Sequence, residues 1–173
     1  VAASEGALLL VDATQGVQAQ TLTTVYKAME YNLKIIPVLN KVDMDIAEVD
    51  RVKLEMMDTF GFSEEEIILA SGKTGLGVKE ILDTIVERVP SPTVKSQDQQ
   101  MKSLVFDAFF HEYKGVTALV KVVSGEISKG DKLYFIGTET KVEPVEIGYL
   151  TPKMTKTEKI SAGEVCYIST GLK

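Results

Sequence analysis

A chain of 173 residues, with 45% hydrophobic and 25% charged side chains, has the length of one ordinary domain or two small ones and the composition of an average globular protein. Its longest apolar run, Ala7 to Val11, is far too short for a membrane-crossing helix, and its one cysteine, Cys166, excludes an internal disulfide and suits a reducing compartment. The net charge of −6 is uneven: residues 1–101 carry 9 basic against 16 acidic side chains and residues 102–173 carry 10 against 9, so neither part has the clustered Lys and Arg of a general phosphate-backbone binder.

The first part of the chain alternates between two hydrophobic periods. Ala7-Leu8-Leu9-Leu10-Val11 is a continuous apolar run that predicts a strand buried on both faces. Leu22, Val25, Tyr26 and Met29 follow at helical spacing. Ile35-Ile36-Pro37-Val38-Leu39 predicts a second strand. Pro37, with no N–H to give a ladder, points to an irregular or edge position there. Val49, Val52, Met56 and Phe60 form a second helical stripe, broken by Gly61, and Ile67 to Ala70 reads as a third strand. Val78, Ile81, Leu82, Ile85 and Val89 predict a third helix, stopped at Pro90. Three strand–helix units predict an α/β fold with a parallel sheet over residues 1–90. The helical stripes could form an αα-hairpin instead, but the apolar runs between them argue against it.

Residues 91–101, passing through Ser91-Pro92 into the polar stretch Lys95 to Gln100, read as a linker. Beyond them the texture becomes β-rich: Leu104 to Phe106, Val116 to Val123, Lys132 to Ile136, Val142 to Tyr149 and Glu164 to Ser169. Turn signals at Gly115, Ser124-Gly125, Lys129-Gly130-Asp131 and Gly137 separate most of these runs, and predict a small β-barrel or sandwich over residues 102–173, expected to be incomplete.

Asn40-Lys41-Val42-Asp43 stands between a predicted strand and a predicted helix, at the strand's carboxyl end, where open α/β sheets bind ligands. An ionised Asp43 offers two acceptor oxygens, enough to take the ring N–H and the exocyclic NH₂ of guanine together. Adenine presents no such pair, and a site built for a hydrogen bond rejects an analogue lacking it by ~10⁴–10⁵. The stem of Lys41 can lie along the base plane, and Asn40 can tie adjacent loops together. The alternative is a solvated polar turn with Asp43 as a helix N-cap. A second loop, Ala70-Ser71-Gly72-Lys73-Thr74, follows the third strand at the same sheet edge, and its backbone N–H groups can donate to the guanine carbonyl oxygen. Taken alone it reads as a turn leading through Gly75-Leu76-Gly77 into a helix; the two loops in order favour a guanine site made of Asn40, Lys41, Asp43, Ser71, Gly72 and Lys73.

These loops resemble the Asn-Lys-x-Asp and Ser-Ala-Lys guanine-recognition elements of P-loop GTPases, with Gly72 in the usual Ala position. Val11-Asp12-Ala13 followed by Gly16 to Thr21, and the turn Gly125 to Asp131, resemble the translational GTPases. Ile36 to Asp43, then Phe110, Tyr113, Gly115 and Val116, then Tyr149 to Met154 and Gly163 to Val165, are most similar to the elongation factor 4 (LepA) group. The elongation factor G and BipA-like groups share the general pattern and fit these stretches less well. The resemblance runs over nearly the whole chain. It implies a partial GTPase sheet followed by a translation-factor β-barrel, from a ribosome-dependent GTPase of the elongation phase. Such a protein binds GTP and GDP with Mg²⁺ and has the ribosome and tRNA as partners. It works as a cytoplasmic monomer with peripheral association at the inner face of the cell membrane.

No G-x-x-x-x-G-K-[ST] phosphate loop and no Asp-x-x-Gly-His segment occurs in the sequence, and the chain begins at Val1. It is therefore expected to be a piece of a longer protein, without catalytic residues or magnesium ligands of its own, and unable to hydrolyse GTP alone, because phosphoryl transfer depends on positioning the phosphates. His111 reads as a strand-end polar residue, Cys166 as buried filler, Met56-Met57 as core and Glu64 to Glu66 as a solvated loop or helix start. A non-enzymatic scaffold for protein or ribosome contact is the competing class.

Overall fold

The computed structural model describes residues 1–92 and 100–173, in two compact units, Val1–Ser91 and Pro92–Lys173. Most of the predicted linker, residues 93–99, lies outside the described residues.

In the first unit, β1 (Gly6–Asp12), α1 (Ala19–Glu30), β2 (Lys34–Asn40), α2 (Val49–Phe60), β3 (Ile68–Leu69) and α3 (Val78–Arg88) follow in turn. The strands are all parallel, in the order β1-β2-β3. Leu9 and Val11 of β1 and Leu39 of β2 turn to one face, where they meet Val25 of α1 and Val52 and Met56 of α2. Ile36 and Val38 turn to the other, joining Ile68 and Ala70 under Ile81, Ile85 and Val89 at α3. Each fully buried side chain of this kind contributes about 2 kcal/mol, so the two clusters hold both helix layers to the sheet. Helix α2 stops at Gly61, whose left-handed backbone (φ 75°) lets its N–H close on the Met57 carbonyl at 2.9 Å.

Four expectations change. Among the described residues strand β1 is buried on one face: Leu8 and Leu10 are exposed, since no described strand pairs with its far side and α3 covers that face only over β2 and β3. Pro37 lies buried in the central strand, not at an edge. The ladder to β3 spans only Val38 and Leu39, so at Pro37 β2 has β1 alone for a partner. In α1 the inward positions are Leu22, Val25 and Ala28, whereas Tyr26 and Met29 face outward. In α3 Leu82 faces outward beside the inward Ile81 and Ile85. Both helices have apolar residues next to their true inward stripe, and the spacing rule accepts either.

The second unit comprises β4 (Lys102–His111), β5 (Gly115–Ser124), β6 (Glu126–Ser128), β7 (Leu133–Phe135), β8 (Thr140–Val142), β9 (Glu146–Leu150), β10 (Met154–Lys156), β11 (Lys159–Ser161) and β12 (Val165–Ser169). All pairings are antiparallel: a five-stranded sheet in the order β10-β9-β12-β5-β4 and two ribbons, β11-β6 and β7-β8. Val120, Val122, Ile127, Ile147, Ile160 and Ile168 fill one shared core. The predicted run Val142 to Tyr149 is split between β8 and β9 around Pro144, which cannot donate to a ladder. The three-residue strands β10 and β11 are too short to stand out in the sequence.

Polar groups inside this unit are paired. Glu146 accepts from Tyr167 Oη at 2.6 Å, Lys114 Nζ at 2.5 Å and Lys156 Nζ at 2.9 Å. Thr117 and Ser169, both buried, join hydroxyls at 3.1 Å across β5 and β12. Cys166 is buried in the core, and that burial pushes its thiol up to about 12. His111 ends β4, its Nδ1 accepting the Tyr113 N–H at 3.2 Å.

Candidate functional site

Strands β1 and β2 run in register from Gly6 opposite Lys34 to Asp12 opposite Asn40, so both finish level at their carboxyl ends. The chain then turns away from each strand, and backbone hydrogen bonds stitch the turns together. Ala13 N–H donates to the Asn40 carbonyl at 2.9 Å, Glu48 N–H to the Ala13 carbonyl at 2.9 Å and Val42 N–H to the Ala70 carbonyl at 3.3 Å. Three loops, after β1, β2 and β3, therefore meet at one edge of the sheet.

Asn40 joins two of them through its side chain, its Oδ1 accepting the N–H of Gly72 at 3.1 Å. Lys41 sits in the left-handed region (φ 64°), uncommon for a residue with a Cβ, and its Nζ pairs with Asp12 Oδ2 at 2.6 Å. The other Asp12 oxygen accepts from Thr14 N at 2.8 Å and Thr14 Oγ1 at 2.7 Å. Lys41 and then Thr14 hold the Asp12 carboxyl well down, at about 2, against the opposing effect of burial. Asp12 is absent from the six residues picked out in the sequence. Its signal there was its place at the end of a predicted strand.

Asp43 is exposed, and its carboxylate has no hydrogen-bonding or ionic partner among the described residues. The alternative of an Asp43 N-cap does not hold, because α2 starts only at Val49, with Glu48 at its N-cap. Ser71 is fully buried and shapes its own loop: its N–H reaches the Leu76 carbonyl at 3.0 Å, its carbonyl accepts from Gly75 N at 2.9 Å and its Oγ accepts from Thr74 N at 3.1 Å. Gly72 and Lys73 lie exposed beside it. With Gly72 bonded to Asn40 and Thr74 to Ser71, the N–H of Lys73 is the donor of this loop left without a protein acceptor among the described residues. Gly77 closes the loop into α3 with φ 71°, and a Cβ there would stand 2.1 Å from the Leu69 carbonyl oxygen.

The arrangement offers a free carboxylate, an anchored lysine stem and a loop N–H at one rim. Those are the parts needed to read the edge and face of a planar base. Among the described residues no group of three or more His, Cys, Asp or Glu side chains is placed to hold a metal ion. The chemistry these six residues offer is hydrogen bonding and packing. An apolar groove of about 370 Å³ in the second unit, between Met101, Val105, Leu133 and Ile136, has only the hydroxyls of Ser103, Tyr134 and Thr138 as polar side chains.

Residues 1–91 match the elongation factor Tu GTP-binding domain family, and residues 115–173 match elongation factor Tu domain 2. Elongation factor 4 of Aquifex aeolicus is 47% identical over 173 residues, all of this chain and 29% of that protein. Elongation factor 4 of Phytoplasma mali is 48% identical, again over the whole chain and 28% of its own length. The chain thus spans under a third of the curated relatives it matches. Among solved structures, the bacterial selenocysteine-specific elongation factor EF-Sec superposes with a TM-score of 0.78 at 21% identity, covering 99% of this chain and 30% of that one. The translation elongation factor SelB from Methanococcus maripaludis, in its apo form, superposes with a TM-score of 0.76 at 22% identity, covering 97% and 37%. These two share the fold.

Proposed function

The chain belongs to the elongation factor Tu GTP-binding domain family, and on that premise we propose that it is the guanine-reading part and following β domain of an elongation factor 4-type GTPase. The observation that carries this reading is the exposed Asp43 carboxylate, without a partner among the described residues, on a loop that Asn40 ties to Gly72. In this reading Asp43 accepts the ring N–H and exocyclic NH₂ of guanine, the Lys41 stem lies along the base, and the Lys73 N–H donates to the guanine carbonyl oxygen. Ser71 and Gly72 act by holding that loop in shape. The whole protein binds GTP and GDP, hydrolyses GTP on the ribosome and acts on tRNA there. It works as a cytoplasmic monomer, with peripheral association at the inner membrane face. By itself this chain binds nucleotide weakly and does not hydrolyse it, since the charge-assisted contacts of nucleotide binding go mainly to phosphates.

The test is Asp43→Asn in the intact protein. Xanthine has a carbonyl where guanine has its exocyclic amine, so an amide side chain complements it. Titration should show GDP binding weakened about 100-fold or more and xanthosine diphosphate binding gained. Unchanged GDP affinity in the variant would sink the base-reading role of Asp43.

A further inference from the structure

We infer that Asp12 is a positioning residue of the guanine site, anchoring the Lys41 ammonium so that the lysine stem is laid where the base packs. The inference rests on the guanine-reading role proposed above and adds a residue from a different strand and loop to it.

The geometry is specific at both ends. Asp12 ends β1 directly opposite Asn40, one residue before Lys41. One carboxylate oxygen takes the Lys41 ammonium at 2.6 Å and the other takes two bonds from Thr14, one of them from the backbone N–H, which holds the group whatever the side chain at position 14. Its loop is held in turn: Ala13 is bonded by its N–H to the Asn40 carbonyl and by its own carbonyl to the Glu48 N–H. The carboxylate is therefore part of the same stitched edge as the guanine loop.

Lysine needs such an anchor. Its stem has four rotatable bonds, and a solvent-exposed ammonium with no partner leaves the stem sampling many rotamers. Here the left-handed backbone at Lys41 directs the start of the side chain and Asp12 holds its end. What remains between them is an aliphatic segment of defined course, half-exposed, able to cover one face of a planar ring while the charge stays paired. The low-lying carboxyl of Asp12 keeps that anchor ionised throughout the neutral and mildly acidic range. A contact with the base alone is blind to the number of phosphates. Loss of the anchor should therefore weaken diphosphate and triphosphate equally.

The experiment is a double-mutant cycle in the intact protein, titrating GDP and GTP into Asp12→Asn, Lys41→Met and the double variant, with thermal unfolding of each. Asp12→Asn is expected to weaken GDP and GTP by the same factor, about five- to tenfold, and to cost less than about twofold further once Lys41 is Met. Thr14→Val, which removes a hydroxyl from the Asp12 turn and leaves the ion pair, is expected to keep affinity within about twofold. The inference is overturned if Asp12→Asn leaves affinity unchanged, or costs as much with Met at position 41 as with Lys. It is equally overturned if Thr14→Val matches the loss of Asp12→Asn, since Asp12 would then act by shaping its turn. Should Asp12→Asn not fold, Thr14→Val and Asp12→Glu decide. The glutamate retains the charge and is expected to show a smaller loss than Lys41→Met, and an equal or larger one rejects the anchor. Asp43→Asn measured alongside separates the premise from the inference. If it gains xanthine nucleotide while Asp12→Asn does nothing, only the positioning role fails; if it does not, the guanine reading fails first.

Discussion

The side chain of Asn40 accepts the backbone N–H of Gly72, a residue 32 positions later in sequence, at 3.1 Å. That one bond joins the loop after the second strand to the loop after the third. Replacing Asn40 with Ala leaves the Gly72 donor to water and leaves the two loops joined by the longer Val42 N–H to Ala70 carbonyl bond at 3.3 Å. Since the bond is near the surface, the stability cost should be small, about 1 kcal/mol in a urea titration. Nucleotide affinity of the intact protein should fall by more than that free energy, because two more loosely joined loops must be ordered on binding. Equal losses in both measurements would mean that Asn40 contributes only to folding.

Gly77 is expected to tolerate no other residue. A Cβ at its φ of 71° would lie 2.1 Å from the Leu69 carbonyl oxygen, which belongs to β3 and cannot move without disturbing the strand. Gly77→Ala should destabilise the first unit by about 3 kcal/mol. Circular dichroism during thermal unfolding of the variant checks this, and a wild-type midpoint would show that the loop has room to relax.

Acid should unfold the second unit through Glu146. Burial works against its charge, but bonds from Lys114, Tyr167 and Lys156 prevail and bring its carboxyl from the ordinary 4.5 to about 2. A carboxyl lowered on folding contributes stability that is complete above the unfolded value and lost as pH falls toward the folded one. Asp12, lowered from 3.8 to about 2, adds the same sign in the first unit. Stability should therefore hold from neutral pH to about 5 and decline between about 4.5 and 2. Glu146→Gln should cost about 2 kcal/mol at neutral pH and flatten that decline, as read by urea titrations at several pH values.

Cys166 should be unreactive in the folded chain. It is buried in the core, and burial pushes its thiol up to about 12, so almost no thiolate is present near neutral pH. Its reaction with a disulfide reagent should be at least ~100-fold slower than in denaturant. Comparable rates would mean that the second unit opens readily in the native state.

Much of the fold is visible in the amino-acid order because the first unit is regular. Its strands are apolar runs, its helices have 3.6-residue stripes, and Gly61 and Pro90 punctuate them. Less visible was which apolar residue faces inward where two stand side by side. Met29 and Leu82 were expected inside and are outside: Ala28 stands in where Met29 was expected, and Ile81, expected inside together with Leu82, faces in without it. Periodicity has a tolerance of one position, and only packing decides within it. Residue type and strand order led to the expectation that the loops after β2 and β3 lie side by side, and Asn40 and Gly72 join them. The ion pair from Lys41 to Asp12 was not expected, because it depends on the left-handed turn at Lys41 and on Asp12 and Asn40 finishing level. Pairing between strands is a matter of register, which local sequence does not encode when the partner is distant.

That register makes the sheet a ruler for the polar edge proposed to read guanine. Asp12 and Asn40 arrive at the same height only because Leu9 and Val11 stand beside Pro37 and Leu39 beneath them. A slip of one residue would expose the hydrophobic ladder and, in the same movement, part the two polar groups at its top. Substitutions that reach no ligand, at Val11 or Leu39 for instance, are then expected to change nucleotide affinity by shifting a strand end. Variants of these core positions belong with binding variants as much as with stability variants.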